Sequence, residues 1–237
     1  MERLIQRLPK WKNIWQQFKL PAVCKLCSQY HEQNQAICRS CITFFKKIEA
    51  ACRICKMPIG KQFDLCGSCI KKKPQFDQIF TVYRYEEPLR SLIHEFKYRE
   101  AFYLLPVLVR LLLDALPPAL EKPDCIIPVP LYFKKLRQRG FNQSALLSRE
   151  IARHLEVPYD FSICHKIKNT SPQAQLNRKQ RQSNLNHSFS VQANTYRHVM
   201  LIDDLLTTGS TVNELSKGLK RKGVQRVDVL CCARTIG

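Results

Sequence analysis

The chain is poor in acidic residues: 19 Asp and Glu stand against 39 Lys and Arg in 237 residues, a formal net charge of +20. It has no apolar stretch approaching the length of a transmembrane helix, which argues against an integral helical membrane protein. No uninterrupted apolar run lies near its first residues, so no secretory leader is expected. Without that leader, the 12 cysteines are expected in a reducing compartment. There they serve as metal ligands or buried thiols rather than a disulfide framework.

The charge is uneven. Residues 1–73 carry 15 Lys/Arg against 4 Asp/Glu, residues 74–120 carry 5 against 6, and residues 121–237 carry 19 against 9. Two basic blocks flank a neutral one. That concentration points to polyanions, since cations on a phosphate backbone release counterions. The plainer alternative is a basic, solvated surface.

The first eight cysteines fall as Cys24-x2-Cys27, Cys38-x2-Cys41, Cys52-x2-Cys55 and Cys66-x2-Cys69, each pair fourteen residues after the last. A C-x2-C knuckle offers two thiolates to one tetrahedral metal, and two knuckles close a structural site. Eight thiolates therefore predict two structural zinc ions. Sequential pairing puts Cys24, Cys27, Cys38 and Cys41 on one zinc and Cys52, Cys55, Cys66 and Cys69 on the other. A cross-braced pairing uses alternate knuckles and stays open. No thioredoxin-like pattern surrounds the pairs, which disfavours redox chemistry. No His or carboxylate sits at ligand spacing, which disfavours a catalytic zinc. Cys125, Cys164, Cys231 and Cys232 lie in apolar runs and are expected to be buried.

Residues 199–211 read V-M-L-I-D-D-L-L-T-T-G-S-T. An apolar run leads into two aspartates, then a hydroxyl-rich loop around one glycine, then helix-compatible sequence. This predicts a buried parallel strand, a phosphate-cradling turn and a helix N-terminus. Backbone N–H groups and the hydroxyls of Thr207, Thr208, Ser210 and Thr211 can donate to phosphate oxygens. Gly209 allows the turn and the close approach. Asp203 and Asp204 can accept from vicinal ribose hydroxyls. The alternative is a core strand with a merely solvated acidic end. It leaves the hydroxyl-glycine loop unexplained.

Two further segments suit the same site. Residues 126–143 read I-I-P-V-P-L-Y-F-K-K-L-R-Q-R-G-F-N-Q. A strand ends at Pro130, and a loop bearing Lys134, Lys135, Arg137 and Arg139 follows. Guanidinium forks match phosphate oxygens, so Arg137 and Arg139 suit a pyrophosphate. Residues 169–186 form a polar stretch with Arg178, Lys179 and Arg181 that is long for a connection inside a compact domain, as lids and disordered segments are. Lys97 and His94 read as ordinary surface residues on a helix.

The chain divides by pattern into an N-terminal amphipathic segment (1–20), the four-knuckle segment (21–73) and an α/β domain (74–237). Pro9 interrupts the helical spacing of Leu4, Leu8, Trp11, Trp15 and Phe18. Strands are expected at 76–85, 124–129, 160–164, 199 onward and 226–233. Helices are expected at 88–98, 102–116, 142–155 and from 210. Alternating strands and helices predict a parallel sheet with helices on both faces, and a ligand at the carboxyl strand ends.

Residues 199–211 resemble the signature of the type I phosphoribosyltransferases. That likeness implies that Asp203 and Asp204 hold the ribose of phosphoribosyl pyrophosphate, while residues 207–211 hold its 5′-phosphate and Mg²⁺ accompanies it. Taken with P-V-P-L, R-x-R-G-F-N-Q and T-S-P-Q-A-Q-L-N-R-x-x-R-x-x-N, and with the cysteine array, the chain resembles the ComF family. The resemblance implies a double zinc ribbon before a phosphoribosyltransferase domain. It also implies a cytoplasmic role in natural transformation, handling single-stranded DNA, with other competence proteins such as helicases or DNA-processing factors as partners. An active transferase on an unknown acceptor and an interaction scaffold with a vestigial site are the rival readings. No C-terminal hood for an acceptor follows the last expected strand.

Overall fold

The computed structural model describes residues 22–32, 35–168 and 188–236. The expected N-terminal amphipathic segment and the lid at 169–186 lie outside these residues. The chain forms two compact units, Met1–Phe44 and Phe45–Gly237. The division falls inside the four-knuckle segment. The third and fourth knuckles therefore share a body with the sheet. In the first unit, β1 (Ala22–Val23) pairs antiparallel with β2 (Tyr30–His31), and the short helix α1 (Arg39–Ile42) follows.

In the second unit, α2 (Gly67–Lys71) completes the fourth knuckle, and β3 (Gln78–Phe80) opens the sheet. Helix α3 (Leu89–Tyr98), a 3-10 turn (Phe102–Leu104) and α4 (Leu105–Asp114) lead to β4 (Cys125–Pro128). Then come α5 (Phe133–Arg139), α6 (Gln143–Leu155), β5 (Cys164–Lys166) and β6 (Phe189–Val191). The long strands β7 (His198–Leu206) and β8 (Arg226–Arg234) flank α7 (Ser210–Arg221). The four-stranded sheet has the order β3-β8-β7-β4, with every pairing parallel.

Residues 199–202 are fully buried because β7 is an interior strand covered on both faces. On one face Val199 and Leu201 share a cluster with Val212, Leu215 and Leu219 of α7 and with Val227, Val229 and Cys231 of β8. On the other face lie α4 and α6, where Cys232 donates its thiol to the carbonyl of Leu108 in α4. Cys125, Cys164, Cys231 and Cys232 are all buried, as expected. Burial pushes Cys164 and Cys231 up to about 12, so these are packing residues rather than nucleophiles.

Three elements differ from the pattern reading. The strand expected at 76–85 is only three residues long. Beyond it the segment takes a second partner, since Ile48 N donates to Val82 O and Arg84 N to Lys46 O, and it rejoins β8 at Arg234, whose N donates to Tyr83 O and whose carbonyl accepts from Tyr85 N. The strand expected at 160–164 lies at Cys164–Lys166 and pairs antiparallel with Phe189–Val191. The basic loop after β4 is helical over Phe133–Arg139. That helix buries no residue and ends at Gly140 with φ 78°, a left-handed cap that glycine adopts without strain.

Candidate functional site

The carboxyl end of β7 gathers side chains from four other elements. Asp204 is 2% exposed. Its Oδ2 lies 2.6 Å from Lys97 Nζ at the end of α3, and its Oδ1 accepts from Gln143 Nε2 at 3.4 Å. Asp203 is half-buried, and its Oδ1 accepts from Ser144 Oγ at 2.9 Å. Gln143 and Ser144 begin α6, whose cap is Asn142. The Asn142 side chain accepts from Ser144 N and donates to the carbonyl of Val129, just past β4. One residue thus fixes the helix start and ties it to a strand end.

These contacts shape the electrostatics. Burial first, and then the adjacent Asp204 carboxylate, push the Asp203 carboxyl up, against Lys97 and Ser144. Burial works to lower the Lys97 ammonium, but Asp204 and then Asp203 outweigh it and its pKa rises. Lys97 therefore stays charged and holds one of the two aspartates in place.

Past β7 the loop has the expected form. Thr207 and Thr208 are exposed, and Gly209 has φ 75°, at the cap of α7. Thr208 Oγ1 and Ser210 Oγ are 2.9 Å apart, and Ser210 N points at Thr208 Oγ1. The first turn of α7 has N–H groups without helical acceptors, with Thr211 among them, and the helix dipole favours an anion there.

The two arginines separate. Arg139 is half-buried, donates to Gln143 Oε1 at 2.6 Å and lies over the Tyr98 ring at 4.8 Å. It joins the Asp204 network. Arg137 is exposed and lies over Phe133 instead. Lys166 faces Tyr132 in a parallel bridge and senses both Lys135 and Asp203. Burial, then Lys135, lowers Lys166 to about 8. Burial, then Arg139, lowers Lys135. Lys97, Gln143, Ser144 and Lys166 are site residues that the sequence reading missed. Only the helix-start pattern N-Q-S could have flagged two of them.

The eight knuckle cysteines form two sequential quartets, each with its sulfurs within 4.8 Å of one another. This is the sequential pairing, not the cross-braced one. Cys27 and Cys38 sulfurs are 4.0 Å apart, and Cys55 and Cys66 sulfurs 3.6 Å. A tetrahedral zinc about 2.3 Å from each sulfur spaces them about 3.8 Å apart, so the donor sets fit. Backbone N–H groups of Cys38 and Cys41 point at the sulfurs of Cys24 and Cys38, as they would at thiolates. The two quartets can each hold a structural zinc.

Phe45 is buried against Tyr83 with ring centres 6.1 Å apart. Phe44 is exposed. Trp11 and Trp15 lie outside the described residues. Among the described residues no helix is long and apolar enough to cross a membrane.

Residues 142–235 match the phosphoribosyl transferase domain family. That span runs from the α6 cap to the end of β8 and includes the whole hydroxyl loop. Competence protein F of Haemophilus influenzae is 40% identical over 178 residues, covering 71% of this chain and 78% of that protein. DNA utilization protein YhgH of Escherichia coli K12 is 36% identical over 177 residues, covering 72% and 78%. Its Salmonella typhi counterpart is 34% identical over 186 residues, covering 76% and 82%. A solved allosteric regulatory enzyme of purine biosynthesis aligns with 54% of this chain and 25% of its own, at 18% identity and a TM-score of 0.37. A phosphoribosyltransferase-type sheet and loop, two cysteine quartets and relatives this similar along most of their length place the chain in the ComF family, with competence protein F and YhgH.

Proposed function

We propose that the chain is a ComF-type competence protein that acts in DNA uptake during natural transformation. In this reading it binds phosphoribosyl pyrophosphate at the carboxyl end of β7 and single-stranded DNA through its basic surface. The carrying observation is the convergence of the half-buried Asp203 and the Lys97-held Asp204 with a hydroxyl loop capping α7. The 5′-phosphate sits on Thr207, Thr208, Gly209, Ser210 and Thr211. The ribose hydroxyls meet Asp203. They reach Asp204 by displacing Gln143, whose 3.4 Å contact is its weaker one. The pyrophosphate lies toward Arg139, Lys135 and Lys166, with Arg137 further out. Mg²⁺ arrives with the pyrophosphate, and a hard cation of this kind suits the partly exposed Asp203 carboxylate.

The relatives' names and the two basic blocks support the DNA-handling role, with other competence proteins, such as a helicase, as partners in the cytoplasm. The two quartets each hold a zinc ion, which folds knuckle segments that have little core of their own. Calorimetry with magnesium phosphoribosyl pyrophosphate tests the ligand. Saturable binding at one site per chain supports it, and no heat with folded protein refutes it. For DNA, about four to six phosphate contacts give a log–log salt slope of about −3 to −4 with an oligothymidylate. Affinity indifferent to salt refutes the charge-based role. Elemental analysis that returns fewer than two zinc ions per unoxidised chain refutes the metal content.

A further inference from the structure

The geometry points to the second cysteine quartet as the fastening of the phosphate loop. Metal on Cys52, Cys55, Cys66 and Cys69 is linked to anion binding at residues 207–211, and the buried Arg234 guanidinium is the cluster's counter-charge. The linkage rests on the reading of that loop as a phosphate site. The counter-charge does not.

Arg234 ends β8 and is 5% exposed. Its Nε lies 3.2 Å from the Met57 sulfur, and its Nη1 has no hydrogen-bond partner. Among the described residues no carboxylate pairs with it. A buried, unpaired guanidinium is costly unless something nearby compensates its charge. Met57 closes the third knuckle, since Cys52 N donates to its carbonyl at 2.8 Å and Lys56 N donates to Cys52 O at 2.9 Å. Four thiolates around one divalent metal carry a net double negative charge. The sheet thus presents a cation, and the loaded quartet supplies the anion.

The same quartet is built into the wall of the loop. Ile79 of β3 donates to the Ile54 carbonyl between Cys52 and Cys55. Cys52, Cys55 and Cys69 share one hydrophobic cluster with Phe76, Leu206 and Val212. Phe76 lies 3.8 Å from where a Cβ on Gly209 would stand. Gln75 N donates to Asn213 Oδ1 at 2.8 Å, in the first turn of α7. On the strand side, Thr235 N donates to the carbonyl of Leu206, the residue before Thr207. Knuckle, edge strand, Arg234 and phosphate loop are one packed body. Metal loss leaves Arg234 uncompensated and loosens the residues that shape Gly209. By reciprocity, an anion on the loop must hold the metal more tightly.

The test uses the whole chain loaded with two zinc ions, with zinc transfer to a chromogenic chelator followed in time. Two release phases are expected. Magnesium phosphoribosyl pyrophosphate should slow one of them by at least about fivefold and leave the other unchanged. A Cys24→Ser, Cys27→Ser chain should lose the unprotected phase and keep the protected one. Arg234→Met should speed the protected phase about tenfold in a chain of unchanged circular dichroism, as loss of an outer partner does at metal sites. Arg234→Lys, which keeps the charge, should lie between. Equal ligand effects on both phases, or none where calorimetry shows binding, overturn the linkage. An Arg234→Met chain with unaltered release overturns the counter-charge. If calorimetry shows no ligand binding, the site reading fails and takes the linkage with it, while the Arg234 variants still decide the counter-charge.

Discussion

At the amino end of β7 and β8, Asp228 is fully buried and lies 2.9 Å from both His198 Nε2 and Arg226 Nη2. Arg226 also pairs with Glu121. Asp124 accepts the backbone N–H groups of His198 and Arg197, which hold its carboxyl below the usual range. At the carboxyl end of the same strands, Asp204 is held by Lys97 but Asp203 is only half-buried. Lys135 and Lys166 crowd near it with lowered pKa values, and Thr207 and Thr208 face solvent. One end closes its charges with its own groups. The other keeps a surplus of positive charge and donors, which an anion would complete. In open parallel α/β sheets it is the carboxyl end of the strands that receives ligands.

The largest effect that would break this contrast comes from the acidic pair. Asp203→Ala with Asp204→Ala should weaken phosphoribosyl pyrophosphate at least about 100-fold, with about 1.5–3 kcal/mol lost for each charge-assisted bond. Zinc content should stay at two per chain, which shows that the body still folds. Calorimetry that finds undiminished affinity in such a chain would mean that the carboxyl end is as closed as the amino end.

The mirror experiment is Asp228→Asn. It removes the buried charge that His198 and Arg226 share, and stability should fall by about 3 kcal/mol, read from denaturant midpoints. Ligand affinity of the folded protein should not change. Affinity that falls in step with stability would show the two ends to be coupled, and the contrast would fail.

The sequence made part of the carboxyl end readable and hid the rest of it. The apolar run of β7, the acidic pair and the T-T-G-S-T loop lie consecutively, so strand, loop and α7 were legible together. The mostly apolar run V-D-V-L-C-C-A at 227–233 made β8 legible in the same way. Helix α5 was not, because it buries no side chain and so shows no apolar stripe. Lys97 read as a surface lysine because its partner, Asp204, lies on a distant strand, and no local pattern encodes that meeting. Lys166 was missed for the same reason, as a short antiparallel strand and α5 bring it toward the site. The quartets were legible as zinc ligands. The attachment of the second quartet to the sheet was not, because it depends on Ile54 meeting β3 and Met57 meeting Arg234.

A smaller effect should appear with pH. Burial, then the neighbouring Lys135, lowers Lys166 to about 8, with Asp203 opposing. An anionic ligand favours the charged form and raises that pKa again. Affinity is therefore complete below pH 8 and falls above it, because binding must then recapture a proton that the free protein has lost. Between pH 7 and pH 9 the fall should approach about tenfold. Lys166→Met should bind more weakly at pH 7 and show a flatter profile. An identical profile in the variant would assign the titration to another group.

The finest distinction lies between two arginines that look alike in the chain. Arg139 bonds Gln143, which in turn donates to Asp204, while Arg137 lies over the exposed ring of Phe133. Arg137→Ala should change ligand affinity by no more than about threefold, the scale of an exposed, screened charge. Arg139→Ala should cost about tenfold or more, because it removes a charged donor from a partly buried network. Combination with Gln143→Ala separates the two further. Arg139 and Gln143 touch, so their effects should be non-additive by at least about 0.5 kcal/mol, whereas Arg137 and Gln143 should add. Additivity in both cycles would place Arg139 outside the site network and leave Lys97 as the cation that holds Asp204. Non-additivity in both would bring Arg137 into the site with the ligand bound, where it could reach the outer phosphate of a pyrophosphate that Arg139 already holds.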